Sequence, residues 1–269
     1  MSEPKIFWYE QKELKDPVAV IGLPSIGLVG SITSSYLSRE LKLPVVAGIT
    51  YPDIQQYSLL QNGNAYPPIR IYAGPIPKAR KKKKAESAEG ETTEKPPKEE
   101  LPRKRTKRRD IIVVTSEVAA KPEFVYDFTL DILNLMREMG ASEIIFVDGI
   151  PNNDPASMLM AAYSTERSRA LLEEADIMVM KDGIIRGVSG VALFQSKIDG
   201  LDTVCLISPA SPQIPDPRAA AAVLDPLCRL IPRLDIDPSP LFKEAEEIEN
   251  RLRAQQIQQN LTNENNLYG

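Results

Sequence analysis

Any acid–base or metal chemistry in this chain has to be done without histidine, because none of its 269 residues is one. That removes the side chain that most often acts as a general base near neutral pH and most often ligates a transition metal. Carboxylates, lysines and thiols remain. Glu117, Asp148 and Asp182 each follow an apolar run and fall where a strand should end. Ligand sites of α/β folds gather at the carboxyl ends of strands, so these three are candidate catalytic carboxylates. Such residues also cap helices or face water, and no acid–base partner accompanies them. Cys205 and Cys228 stand alone, Cys205 inside an apolar run. They read as small buried hydrophobes of a reducing compartment, forming neither a disulfide nor a metal pair. No metal and no cofactor is expected.

A second candidate is "GLPSIGLVGS", Gly22–Ser31, which follows one apolar run and opens an amphipathic one. Phosphate-binding loops sit at such junctions. A P-loop requires Lys and then Ser or Thr after its second glycine, whereas Leu28 and Val29 follow Gly27. The dinucleotide fingerprint requires Gly-x-Gly, and Pro24 takes the place of its second glycine. Gly22, Gly27 and Gly30 fit a tight strand-to-helix turn with close backbone packing. The helix N-terminus could still hold an anion, and a nucleotide- or nucleoside-processing enzyme using Gly22–Gly30 is the competing functional reading. "PDPR", Pro215–Arg218, is a helix start with Asp216 as cap and Pro217 in the first turn; Arg218 could bind an anion, but the cap explains the run without one.

The third candidate is the end of the sequence, "NENNLYG". A glutamine- and asparagine-rich stretch closes on Leu267, Tyr268 and Gly269. A lone exposed apolar pair is common on proteins. Two side-chain anchors beside a free carboxylate also suit capture by a partner pocket that binds a chain terminus. On the residues alone both readings stand.

The elements that must position these residues alternate. Val18–Gly22, Val45–Ile49, Glu143–Gly149, Asp176–Met180 and Thr203–Pro209 are apolar runs of strand length. Between them, Leu28, Ile32, Tyr36 and Leu37 recur at helical spacing, as do Phe124, Phe128, Ile132, Leu135 and Met139. Pro122 near the start and Gly140 past the end punctuate the second of these helices. "ASMLMAAYSTERSRALLEEA" reads as one helix and "GVSGVALFQSKIDG" as a short one. "DPRAAAAVLDPLCRLI" reads as a helix in which Pro226 demands a kink or a break. Leu241, Ala245, Ile248 and Leu252 make a packing stripe on a last helix. Short apolar strands alternating with amphipathic helices predict an α/β sandwich with a mainly parallel, mixed sheet.

One stretch interrupts the pattern. Lys78–Asp110 carries 14 Lys/Arg against 7 Asp/Glu, so it holds +7 and leaves −11 on the rest of a chain whose net charge is −4. With three prolines and almost no large apolar residue it cannot offset its ordering entropy by burial, and disorder is expected over about 78–109. Its flanks, Ile69–Gly74 and Asp110–Glu117, look like facing strands, so the insertion enlarges a hairpin loop inside a single domain, 1–253, followed by a flexible tail, 254–269. The run is a solvated insertion or a contact for an acidic surface; without interleaved aromatics or a groove-reading helix, specific nucleic-acid recognition is not expected. No apolar run approaches the roughly 18 residues that span a bilayer, and "MSEPKIFWYEQKELKD" lacks the pattern of a signal peptide. A cytoplasmic protein without a membrane partner is expected.

"VAVIGLPSIGLVGSITSSYLSREL", "YPPIRIYAG", "VVTSE", "GIIRGVSGVAL", "PDPRAAAAVLDPL" and "LFKEAEEIENRL" together resemble the proteasome assembly chaperone two family, in particular its archaeal members. The resemblance runs from about Val18 to Leu252, broken by the basic insertion. It implies a three-layer α/β/α sandwich similar to nucleoside phosphorylases and a non-enzymatic, self-assembling chaperone that binds proteasome α subunits. It also implies a docking element of hydrophobic residue, tyrosine and any residue. Here that element maps onto Leu267 as apolar anchor, Tyr268 as the ring that fills the pocket, and Gly269 as donor of the carboxylate.

Overall fold

The computed structural model describes residues 4–52, 54, 57–77, 109–152 and 158–251. The expected disorder over 78–109, apart from Arg109, and the tail with Leu252, Leu267, Tyr268 and Gly269 lie outside the described residues. The chain begins with β1 (Lys5–Trp8), β2 (Val18–Gly22), α1 (Val29–Glu40) and β3 (Val45–Thr50). A hairpin of β4 (Leu59–Gln61) and β5 (Asn64–Tyr66) turns at Asn62-Gly63, both at positive φ, and leads into β6 (Ile69–Pro75). After the insertion come β7 (Asp110–Ser116), α2 (Val125–Glu138), β8 (Glu143–Pro151), β9 (Met160–Tyr163), α3 (Glu166–Glu174), α4 (Gly187–Asp199), β10 (Thr203–Ala210) and α5 (Pro217–Leu230). A last helix, α6, covers 239–251.

The sheet has eight strands in the order β1-β3-β6-β7-β2-β8-β10-β9. Its centre, β7-β2-β8-β10, is parallel throughout. The flanks pair antiparallel, which leaves β3 pointing with the centre and β1, β6 and β9 against it. The sheet is thus mixed with most strands aligned, and it is open at both edges. β6 and β7 pair directly from Ile69↔Ser116 to Pro75↔Asp110, so the basic insertion does extend a hairpin connection. β2 is buried at all five positions, as a parallel strand covered on both faces must be.

Alternation along the strands divides the core in two. Val18, Val20, Ile145, Val147, Val204 and Leu206 meet α1, α3, α5 and α6 on one face. Ala19, Ile21, Ile144, Phe146, Cys205 and Ile207 meet α2 and α4 on the other. The result is the expected α/β/α sandwich. In α2, Phe128, Ile132 and Leu135 face the second core, and Phe124 packs edge-on against the buried Tyr51 at a centroid distance of 4.9 Å.

Three local expectations need correction. "ASMLMAAYSTERSRALLEEA" is not one helix: Met160–Tyr163 pairs along β10 as an edge strand, and the helix starts only at Glu166. Thr165 and Ser168 form a reciprocal capping box that fixes this start. Edge pairing overrides the helical propensity of the Met- and Ala-rich half. Asp176–Met180 is not a regular strand either. Only Val179 bridges to Ala161, and Asp176 turns the chain at φ 51. Leu28 lies outside the face of α1, because it precedes the helix in a left-handed conformation and is exposed. Of the kink or break expected at Pro226, there is no break: α5 continues through it, the proline is buried beside Val223 and Leu227 of the first core, and that packing offsets the lost hydrogen bond.

Candidate functional site

The turn between β2 and α1 is built by close approach of backbones. A Cβ on Gly30 would come within 2.7 Å of the Val147 carbonyl oxygen and 2.9 Å of the Leu23 nitrogen, and nearer still to the Leu23 oxygen. One on Gly22 would strike the Gly30 oxygen and lie 2.6 Å from Ser34 Cβ. Gly27 takes φ +62, and its missing Cβ would sit 2.7 Å from Ala210 Cβ. The Gly27 carbonyl accepts the Asp216 N–H at 2.8 Å, and Ser25 Oγ accepts the Gly30 N–H at 3.2 Å. Close packing therefore accounts for all three glycines: Gly22 against α1, Gly30 against Leu23 and β8, and Gly27 against the β10–α5 connection.

The candidate carboxylates are not brought together. Glu117 forms an ion pair with Arg70, whose side chain points with Tyr72 toward the face of the first core and donates to the Tyr72 hydroxyl at 3.1 Å. Burial works against the Arg70 charge, but the Glu117 carboxylate and the Tyr72 hydroxyl together outweigh it, and the guanidinium pKa lies above its ordinary value. Asp148 lies on the opposite face, at the end of β8. It accepts the Gly149 N–H at 2.8 Å. Burial pushes its carboxyl pKa above the usual range, although hydrogen bonding from the Ser189 side chain and the Gly149 N–H draws it down. Asp182 is exposed in the segment before α4. Beneath Asp148, burial pushes the Cys205 thiol pKa far up, with the Asp148 charge adding to it and Ser189 opposing; Cys205 and Cys228 are both unbridged. Among the described residues no group of His, Cys, Asp and Glu could hold a metal ion.

Asp148 lines a cleft of about 710 Å³ at the carboxyl ends of β2, β8 and β10. The sequence reading placed a site at the glycines of this end but did not see the cleft beside them. It also missed the sheet edge, where Phe7, Trp8 and Tyr9 are exposed on and beside β1; the run "KIFWYE" carried that signal in its strand-forming residues.

The base of the C-terminal segment is firmly held. Leu241 of α6 is buried in the first core, and Ala245 one turn on is buried as well. Asp237 caps the start of the helix, accepting the Ser239 N–H at 3.0 Å and its hydroxyl at 2.7 Å. The Tyr36 hydroxyl donates to the Asp237 carbonyl at 2.6 Å. Arg218 donates to Glu249 at 2.9 Å, and its guanidinium stands 6.0 Å from the Phe242 ring centroid. The cap at Asp216, which accepts the Ala219 N–H at 2.9 Å, holds Arg218 in the first turn of α5. Arg218 thus serves α6, not a bound anion.

These features define the class: an open α/β/α sandwich with a parallel centre, a glycine turn filled by packing, and a terminal helix locked to the body. The chain belongs to the PAC2 family, whose profile matches residues 19–256, the family that the segments between Val18 and Leu252 suggested. Its fold is similar to that of PbaA from Pyrococcus furiosus, described as an archaeal homologue of proteasome-assembly chaperone. The TM-score is 0.73 at 25% identity, over 95% of this chain and 92% of that one. It is similar also to PbaB of the same organism, described as an archaeal proteasome activator, with a TM-score of 0.70 at 25% identity over 95% and 100% of the two chains. An uncharacterised protein of Methanocaldococcus jannaschii is 22% identical over 241 residues, 90% of this chain and 86% of its own. Among the described residues no helix is long and apolar enough to cross a membrane.

Proposed function

We propose that this protein is a proteasome assembly chaperone or adaptor of the cytoplasm that acts without catalysis. It docks on the α ring of the proteasome core particle by inserting Leu267, Tyr268 and Gly269 into pockets between α subunits. The observation that carries the reading is the likeness to PbaA and PbaB, which extends over 95% of this chain at 25% identity. Support comes also from the carboxylates Glu117 and Asp148, which lie on opposite faces of the sheet, and from the glycine turn, whose backbone is engaged in packing. The single domain of 1–253 ends in α6, anchored by the buried Leu241 and Ala245. Eighteen residues follow Arg251, enough to reach at most about 60 Å when fully extended.

A plug of three residues binds weakly by itself, because ordering the segment that bears it consumes much of the contact energy. A homo-oligomer presenting several tails to one ring would gain affinity by effective concentration, so self-association belongs to the proposal. The test is a pull-down with purified proteasome α subunits, comparing the full chain with Tyr268→Ala and with a chain ending at Asn266. Loss of α-subunit binding in both, at unchanged circular dichroism and oligomer size, is expected. Full binding by the shortened chain would sink the reading.

A further inference from the structure

We propose that the cleft at the carboxyl ends of β2, β8 and β10 is a binding site for a small, largely apolar molecule carrying one protonated amine or amidine, which pairs with Asp148. At about 710 Å³ the cleft falls within the roughly 300–1,000 Å³ of small-molecule pockets, and it lies where open α/β sheets bind ligands. Its walls are apolar and come from four different elements. Leu23 and Ile26 belong to the β2–α1 turn, Ala120 and Val125 to the approach to α2 and its first residue, Ile150 to β8, and Val188 to α4. One carboxylate, Asp148, stands among them, with Ser189 beside it and Arg186 at the rim.

The sign of the ligand follows from what surrounds that carboxylate. Gly187, Val188 and Ser189 of the first turn of α4 line the cleft, and no side chain caps that turn, so the positive N-terminal end of the helix lies at the cleft. Asp148, hydrogen-bonded to Ser189 of its first turn, already matches that end with a negative charge. A second anion would meet a carboxylate at short range in a poorly solvated place. Burial nevertheless holds the Asp148 carboxyl above its ordinary range despite two hydrogen-bonding partners. A cation bound in the cleft would pair with this carboxylate while its apolar body covers the walls. Cys205, fully buried below, is closed to the ligand.

Saturation-transfer NMR on the full-length protein tests this with three probes of one shape: benzamidine, benzyl alcohol and benzoate. Benzamidine should bind saturably in the millimolar range, as expected for a fragment, and more tightly than the other two. Asp148→Asn retains an acceptor for the Gly149 N–H and should weaken benzamidine at least tenfold. Ala120→Phe, which narrows the cleft and leaves Asp148 unsubstituted, should abolish binding of all three. Absence of saturable benzamidine binding, tighter binding of benzoate, or undiminished benzamidine affinity in both variants would each overturn the assignment.

Discussion

Replacing Gly30 by alanine should destabilise this protein, although the same change inside an ordinary helix stabilises by about 1 kcal/mol. Gly30 lies in the first turn of α1 with ordinary helical geometry, so no backbone strain opposes a side chain there. The obstacle is space. The three atoms nearest to an added Cβ are the Leu23 oxygen, the Val147 oxygen at 2.7 Å and the Leu23 nitrogen at 2.9 Å. All three are backbone, and none can rotate away. Relief requires moving α1 off β8, where Val29 is buried. Overpacking of this kind costs about 1–3 kcal/mol, and the rigid neighbours place Gly30→Ala at the upper end. For a chain of this size that lowers the thermal midpoint by roughly 6–10 °C. Urea unfolding followed by circular dichroism measures it. Gly63→Ala is the control, because Gly63 is at φ +78 with nothing within 4 Å and loses only the left-handed preference, about 1 kcal/mol. A Gly30→Ala protein as stable as the wild type would refute the packing account and return the turn to the anion-loop reading.

Leu241→Ala should cost about 3 kcal/mol, since Leu241 is buried in the first core and its loss leaves a cavity under α6; equal urea midpoints for variant and wild type would contradict the anchoring of that helix. Glu117→Ala should cost about 3 kcal/mol by stranding the buried Arg70 guanidinium, and Arg70→Leu combined with it should recover much of that loss. A double-mutant cycle in urea checks both, and simple additivity would show that the pair is uncoupled. Asp148 predicts a pH dependence. Burial raises its folded pKa above the unfolded value, so the folded state holds the proton more tightly. The stability this group contributes is highest while it is protonated and declines as pH rises through the folded pKa. Relative to Asp148→Asn, the wild type should lose stability between about pH 4 and the raised pKa; a relative gain over that range would reverse the sign of the burial effect.

Alternation of strands and helices was legible because the central strands are both apolar and of strand length, and the β6–β7 pairing could be read across the insertion. What could not be read were elements decided by neighbours. Met160–Tyr163 has helix-forming residues, but the free edge of β10 offers its backbone a ladder from Tyr163↔Val204 to Met160↔Ile207. Asp176–Met180 has strand-forming residues but finds only the single bridge of Val179 to Ala161. In both places long-range pairing, invisible in a local window, outweighed intrinsic propensity.

The site shows the same division more sharply. Glu117 follows β7 and Asp148 lies toward the carboxyl end of β8, and on sequence alone they are equivalent. Yet side chains alternate across a strand with a period of two, so one residue of phase decides which face each one serves. Arg70 captures Glu117 on the face of α1, while Ser189 and Gly149 hold Asp148 on the face of α4. Two carboxylates divided by a sheet cannot share a proton or flank one bond. The phase of β8 is visible in "EIIFVDG", but nothing in the sequence says which face α4 will cover. That depends on β10 adding beyond β8 and on α4 crossing to the side of α2. Once the topology is known, Asp148 becomes the one of the three carboxylates with a cleft to act in, and Glu117 becomes the counter-ion of a buried arginine.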